Sequence, residues 1–430
     1  MIDAATGAPM LMRNAQVPLP PASVTKALTA LYALETLGPE HRFETRVLAT
    51  APIVDGIIDG DLILAGGGDP ILVTDHLAGI AEALRDMGLT EVRGRFGVWG
   101  GALPFLEEID PPQLDHLGYN PSVSGLNLNF NRVYFEWIRD GSDWQVSMDA
   151  RSELFRPEVT IARMQIADRA VPVYTYEDGG SRDEWTVARG ALGTGGSRWL
   201  PVRKPELYAG DVLGTFLRGH GISIAAPMVV SETSGTVLHT HRSSPLRDIL
   251  GDMLKYSTNL TAEAVGLAAS FARRSTLTGH EASARMMTGW LNQRFGTRMR
   301  LADHSGLSDT SRLAAEDLVR FFAAEGVRAK LQPILKEIDI IDGEGRPVRD
   351  FPGEIRAKTG TLNFVTTLSG YQTTDRDRDL AFAILCADLD RRAAGKVAGD
   401  ERPPGSVTYN RRAKGLQQAL LKRWGLVSAS

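Results

Sequence analysis

Residues 20–34 read PPASVTKALTALYAL, placing Ser23 and Lys26 three apart at the head of an apolar run with helical spacing. A serine there can simply cap the helix; alternatively its hydroxyl is a nucleophile and the lysine its base. An i, i+3 pair shares one helical face, so the Lys26 amine can reach the Ser23 hydroxyl. To serve as a base Lys26 must spend time neutral, its pKa drawn well below the ordinary value of about 10.4 by burial and a neighbouring cation. Two further patterns supply partners. S-T-N (Ser257, Asn259) lies at the junction of two helical stretches, and K-T-G-T (Lys358, Thr359, Gly360, Thr361) opens a strand. S-x-x-K, S-x-N and K-T-G each occur once, in that order. Any one is a weak signal; the ordered trio is a strong one. Lys358 is the second cation that helps depress Lys26. Ser257 is placed to relay a proton toward a departing amine, and Asn259 to hydrogen-bond a substrate amide. Lys358, Thr359 and Thr361 make a cationic, hydroxyl-rich strand end suited to a carboxylate. The backbone N–H groups of Ser23 and Thr361 can form an oxyanion hole. With its partners in view, Ser23 reads as nucleophile and Lys26 as base.

The elements that must position these groups follow from periodicity and punctuation. The Ser23 helix stops at Gly38, and residues 42–50 alternate like a half-buried strand. A strand over 60–72 ends in glycines, Asp69–Pro70 caps a helix running to Gly88, and residues 126–137 read as strand. A helix leads into a strand over 211–224. From about residue 242 longer helices dominate; strands return at IRAKTGTLNFVTTLSGYQT and LAFAILCAD, and a basic amphipathic helix closes the chain. Residues 390–405 read as a mobile loop. The fold class is α/β (α+β): an antiparallel sheet flanked by helices, interrupted by a mainly β insertion. The expected boundaries are 1–44 plus 242–430 for the discontinuous catalytic domain, and 45–241 for an inserted region of two small subdomains.

Length and composition bound the rest. A chain of 430 residues favours two or three domains. A net charge of -4 gives no nucleic-acid footprint, and no apolar run approaches the roughly 18 residues of a membrane span. The single cysteine, Cys386, excludes an internal disulfide and reads as a buried, inert thiol. MIDAATGAPM has no signal-peptide pattern and runs straight into a strand–Gly–strand reading, so the true start is expected upstream or trimmed.

With the trio in place, the chain resembles the penicillin-binding D-alanyl-D-alanine carboxypeptidase/endopeptidase family (peptidase family S13, the DacB-like penicillin-binding protein 4 type). The likeness covers nearly the whole chain, through GDLILAGGGDPIL, YNPSVSGLNLNFN, SSPLRDILGDMLKYSTNLTAE, DHSGLSDTSRL and KTGTLNFVTTLSGY. It implies small domains inserted between the first two motifs, action on peptidoglycan stem peptides, acylation by β-lactam antibiotics, and a periplasmic location. It also implies that the insertion approaches the site near Asp115 and Tyr119, candidate contacts to the stem peptide's side chain. His304 stands where the family usually has glycine, and GVWGGALPF lacks an aspartate often found there. Neither departure touches the motifs.

Other patterns carry weaker readings. AGGGDP lacks the Lys-Ser/Thr of a phosphate loop and reads as a turn. Asn127, Asn129 and Asn131 share one strand face, as a hydrated face or a loop-anchoring ladder. His239 and His241 lack the partners of a metal site and read as exposed. Glu263 fixes its own helix or nearby loops rather than acting as a deacylating base. Leu416, Leu420 and Trp424 of the last helix pack on the catalytic sheet. The serine–lysine chemistry needs no metal or cofactor, and no nucleic-acid partner or integral membrane segment is expected. Two rival functions remain: a β-lactamase or esterase with the same trio, and a wall-binding scaffold without turnover.

Overall fold

The computed structural model describes residues 1–276, 279–342, 344–349, 351, 353–374 and 378–427. It divides into two compact units, Met1–Glu40 with Pro245–Ser430, and His41–Ser244.

The first unit is built on a five-stranded antiparallel sheet. Its strands run in the order Ile2–Asp3, Asp379–Ala387, Val365–Thr373, Ile355–Leu362 and Lys336–Glu337. On one face the helix Ser406–Val427 lays Leu421 and Trp424 against Leu368, Leu380 and Phe382. Leu416 points instead to solvent, so Leu421 rather than Leu416 completes the packed stripe. The other face, carrying Gly360 and Thr367, meets the chain just before Ser23: the Thr367 hydroxyl donates to Pro21 O at 2.8 Å.

From there the helix Thr25–Leu37 runs inward, with every residue from Thr25 to Leu34 buried. Such a helix, enclosed on all sides, belongs in a core rather than at a surface. Helices Leu246–Tyr256, Asn259–Arg273 and His280–Phe295 pack around it. Residues 390–405 do not form a loop throughout. Leu389–Ala398 is helical, started by the Asp388 carboxylate accepting from Arg391 N, with Gly399 in the left-handed region ending it. Cys386 lies half-buried on its strand, and burial raises its thiol.

The second unit carries a five-stranded sheet, Pro227–Val229, Phe96–Trp99, Leu62–Gly66, Glu44–Ala49 and Thr236–Arg242, and three smaller three-stranded sheets. One apolar cluster, including Leu64, Phe96, Phe135, Trp185 and Tyr208, joins residues of these sheets.

Three sequence readings change here. The strand begins at Arg132, not residue 126. Asn129, Phe130 and Asn131 form a turn with φ values of 49°, 58° and 49°. The asparagines are buried anchors: Asn127 binds Ser124 N and O, Asn129 binds Thr74 N and Oγ1, and Asn131 binds Leu128 N and Ser122 O. Asparagine tolerates the left-handed region, and its amide replaces the hydrogen bonds that a strand would have made. The helix after AGGGDP starts at Thr74, with the His76 ring accepting from Val73 N, while Asp69 is buried in the turn and accepts from Ile71 N. His241 is mostly enclosed rather than exposed, its ring 4.4 Å from that of His76.

Candidate active site

Ser23 sits in a single 3-10 turn, Ala22–Val24, immediately before the Thr25–Leu37 helix. The turn is fixed by Pro21 O accepting from Val24 N and by Ala22, whose φ of 48° lies in the left-handed region. Gly360 lies against it. A Cβ there would come 2.9 Å from Ser23 N and collide with the Thr367 hydroxyl, so only glycine lets the strand approach this closely. The trio therefore converges through main-chain contact as well as through side chains.

Lys26 is fully buried, and its Nζ donates to Ser23 Oγ at 3.0 Å, Asn259 Oδ1 at 2.7 Å and Ser305 O at 2.8 Å. Those three bonds aim the amine at the serine. Burial draws its pKa down to about 8, against the upward pull of Asp303 and Glu263. Ser257 ends the helix Leu246–Tyr256 in a left-handed conformation, φ 61°, which turns the chain toward Asn259. Its Oγ accepts from Lys358 Nζ at 2.9 Å, and Lys358 also donates to Thr359 O at 2.8 Å. Lys358 is buried; burial first, then Lys26 and Lys336, bring its pKa to about 6. The five residues thus form two hydrogen-bonded groups, Lys26 with Ser23 and Asn259, and Lys358 with Ser257, close enough for the Lys26 charge to help lower Lys358.

Strand alternation divides the K-T-G-T segment. Lys358 and Gly360 are buried on the nucleophile's side, whereas Thr359 and Thr361 are exposed on the other. Asp115 and Tyr119 lie in the second unit; both are exposed, and Asp115 O accepts from Arg203 at 3.1 Å.

Several residues that position this cluster carry no motif signature. Ser305 O is the third acceptor for Lys26, and a backbone oxygen leaves no trace in residue type. It is held by Glu263, whose carboxylate accepts from Ser305 N at 2.8 Å and from His304 N at 3.1 Å. Glu263 also pairs with His280 at 2.6 Å. Burial alone would raise the Glu263 carboxyl; His280 and these hydrogen bonds outweigh it and hold the group low. Glu263 follows Asn259 by four residues on one helix face, which was the available clue. His304 is fully buried, lies over Gly266, and shares a 2.7 Å hydrogen bond with Ser283; burial drops its pKa to about 4, so it is neutral. Asp303 accepts from Gly306 N and Ser308 N and closes the same loop.

Known proteins share this architecture. A D-alanyl-D-alanine carboxypeptidase of Actinomadura sp. (strain R39) is 27% identical over 425 residues, covering 90% of this chain and 76% of the relative. The crystal structure of penicillin binding protein 4 (dacB) from Haemophilus influenzae superposes with a TM-score of 0.75 at 21% identity, covering 95% of both chains. The same protein complexed with a β-lactam gives a TM-score of 0.70 at 22% identity and the same coverage. The model for the D-Ala-D-Ala carboxypeptidase 3 (S13) family matches residues 1–401. A match of that extent takes in all three motifs of the cluster, and the chain belongs to the D-Ala-D-Ala carboxypeptidase 3 (S13) family.

Proposed function

We infer that this chain is a serine-type D-Ala-D-Ala carboxypeptidase with DD-endopeptidase capacity, acting in the periplasm on peptidoglycan stem peptides and acylated by penicillin. The family supplies the activity; the role of each residue is read from the cluster. Ser23 Oγ attacks the carbonyl carbon of the penultimate D-Ala while Lys26 takes its proton. With a pKa of about 8, roughly a tenth of Lys26 is neutral at pH 7 and ready to do so. The amide N–H groups of Ser23 and Thr361 receive the developing oxyanion. The C–N bond then breaks, and the leaving amine takes a proton from Lys26 through Ser257, whose hydroxyl is held by Lys358. Water attacks the acyl-enzyme and restores Ser23. Asn259 steadies Lys26 and the substrate amide, and Thr359 and Thr361 meet the leaving group's carboxylate. Asp115 and Tyr119 are assigned to the stem peptide's side chain.

The observation that carries this reading is the Lys26 amine, fully buried, 3.0 Å from Ser23 Oγ. Among the described residues no helix is long and apolar enough to cross a membrane. The β-lactam bound by the H. influenzae relative supports penicillin as the probe. The test is intact mass after incubation with benzylpenicillin. A single penicilloyl adduct is expected on the parent and none on Ser23→Ala; an unmodified, folded parent would remove the assignment.

A further inference from the structure

The hydrogen bonds that hold Lys26 continue past Ser305 to a side chain that reaches solvent. Ser305 O accepts from Lys26 Nζ at 2.8 Å, Ser305 N donates to Glu263 Oε1 at 2.8 Å, and His280 Nε2 donates to Glu263 Oε2 at 2.6 Å. Lys26, Glu263 and Ser305 are fully buried. His280, which opens the helix His280–Phe295, alone of these four keeps part of its side chain, 12%, in contact with solvent.

The charges around His280 show what a histidine does there. The ionisable groups facing its ring are Glu263 from the helix Asn259–Arg273, Asp303 and His304 from the neighbouring loop, and Glu281 on its own helix. Burial disfavours the imidazolium, but the carboxylates of Glu263, Asp303 and Glu281 outweigh it and raise the ring above the ordinary histidine value. Burial keeps His304 neutral, so His280 is the cation of this set. The two buried carboxyls, Asp303 and Glu263, are also the ones that pull Lys26 toward its ammonium form. A buried carboxylate stripped of its cation is costly, and it draws protons to itself and its neighbours. We propose that His280 is a positioning residue for acylation: its imidazolium keeps Glu263 ionised on the Ser305 amide and offsets the negative charge against which Lys26 must become neutral. This assignment rests on the serine–lysine reading above.

The test is the pH profile of acylation by benzylpenicillin, followed by stopped flow on the full chain. His280→Gln keeps a hydrogen-bond donor but removes the charge. A set of groups that has lost a cation holds its last proton more tightly, whether that proton rests on Lys26 or on Glu263. The acting form, neutral amine with ionised Glu263, is then reached only at higher pH, and the ascending limb moves up by on the order of half a unit or more. That is opposite in sign to what loss of the Glu263 charge itself gives. His280→Lys restores a cation and returns the limb to within about a few tenths of a unit of the parent's. Thermal melts check that each variant folds, and where His280→Gln does not, His280→Asn carries the same reading. A limb that stays in place in the neutral variant overturns the assignment. So does a limb that moves equally in His280→Gln and His280→Lys, because a residue that only packs gives both variants the same profile. A parent that takes no penicilloyl adduct at any pH overturns the serine–lysine reading itself, a different result.

Discussion

Lys26 is balanced between two opposed influences, and the balance sets a pH dependence. Burial lowers its pKa to about 8 while Asp303 and Glu263 pull it upward. Only the neutral amine can accept the Ser23 proton, so acylation by benzylpenicillin should rise with pH and level off above about 8. Replacing Glu263 with Gln removes one of the charges that favour the ammonium, so the ascending limb should move to lower pH, by on the order of half a unit or more. Gln also weakens the grip on the His304 and Ser305 amides that sets Ser305 O, and the plateau should fall about tenfold. A stopped-flow pH profile of acylation reads both effects at once. A variant that merely loosened the fold would lower the plateau without moving the limb, and that outcome would reduce Glu263 to a structural residue.

At the scale of elements, the decisive contact is between a strand and the turn before a helix. Gly360→Ala would put a methyl group 2.9 Å from Ser23 N and into the Thr367 hydroxyl that holds Pro21 O. The strand must then retreat from the nucleophile. We expect acylation to slow about a hundredfold, as a misplacement of roughly 1 Å costs, while the melting temperature falls by only a few degrees; unchanged acylation would refute the contact's importance. Such packing explains what was legible in the sequence. Ser23, Lys26, Ser257, Asn259 and Lys358 were legible as candidates because each has a reactive or hydrogen-bonding side chain within one of three short, ordered motifs, although Lys358 lies inside the strand Ile355–Leu362 rather than at its opening. Ser305 O was not, since a carbonyl oxygen has no residue signature. The asparagines of 127–131 misled for a related reason. Their spacing of two imitates a strand, yet Asn129 and Asn131 hold a left-handed turn that alternation cannot distinguish.

For the whole molecule, the question is what the catalytic unit needs in order to stand. Its chain enters and leaves at neighbouring points: Pro39 O accepts from Arg247 N at 3.0 Å, so residues 40 and 245 are within reach of a short link. The apolar cluster beneath its sheet, from Met1 through Leu368 and Phe382 to Trp424, is drawn wholly from Met1–Glu40 and Pro245–Ser430. The cluster of the other unit is likewise its own, running from Val47 to Ile222. A unit with its own core and adjacent chain ends can fold without the segment inserted between them. Replacing residues 41–244 by a linker of roughly four Gly and Ser residues, enough to span the gap, should therefore give a chain that unfolds in one cooperative transition. Because Ser23, Lys26, Ser257, Asn259 and Lys358 all lie in this unit, the shortened chain should still take one penicilloyl adduct. If Asp115 and Tyr119 serve the stem peptide's side chain, it should also lose most of its preference among stem peptides with different third residues while retaining that adduct. A shortened chain that folds yet takes no adduct would place part of the acylation machinery in residues 41–244. Undiminished selectivity on stem peptides would remove the roles assigned to Asp115 and Tyr119.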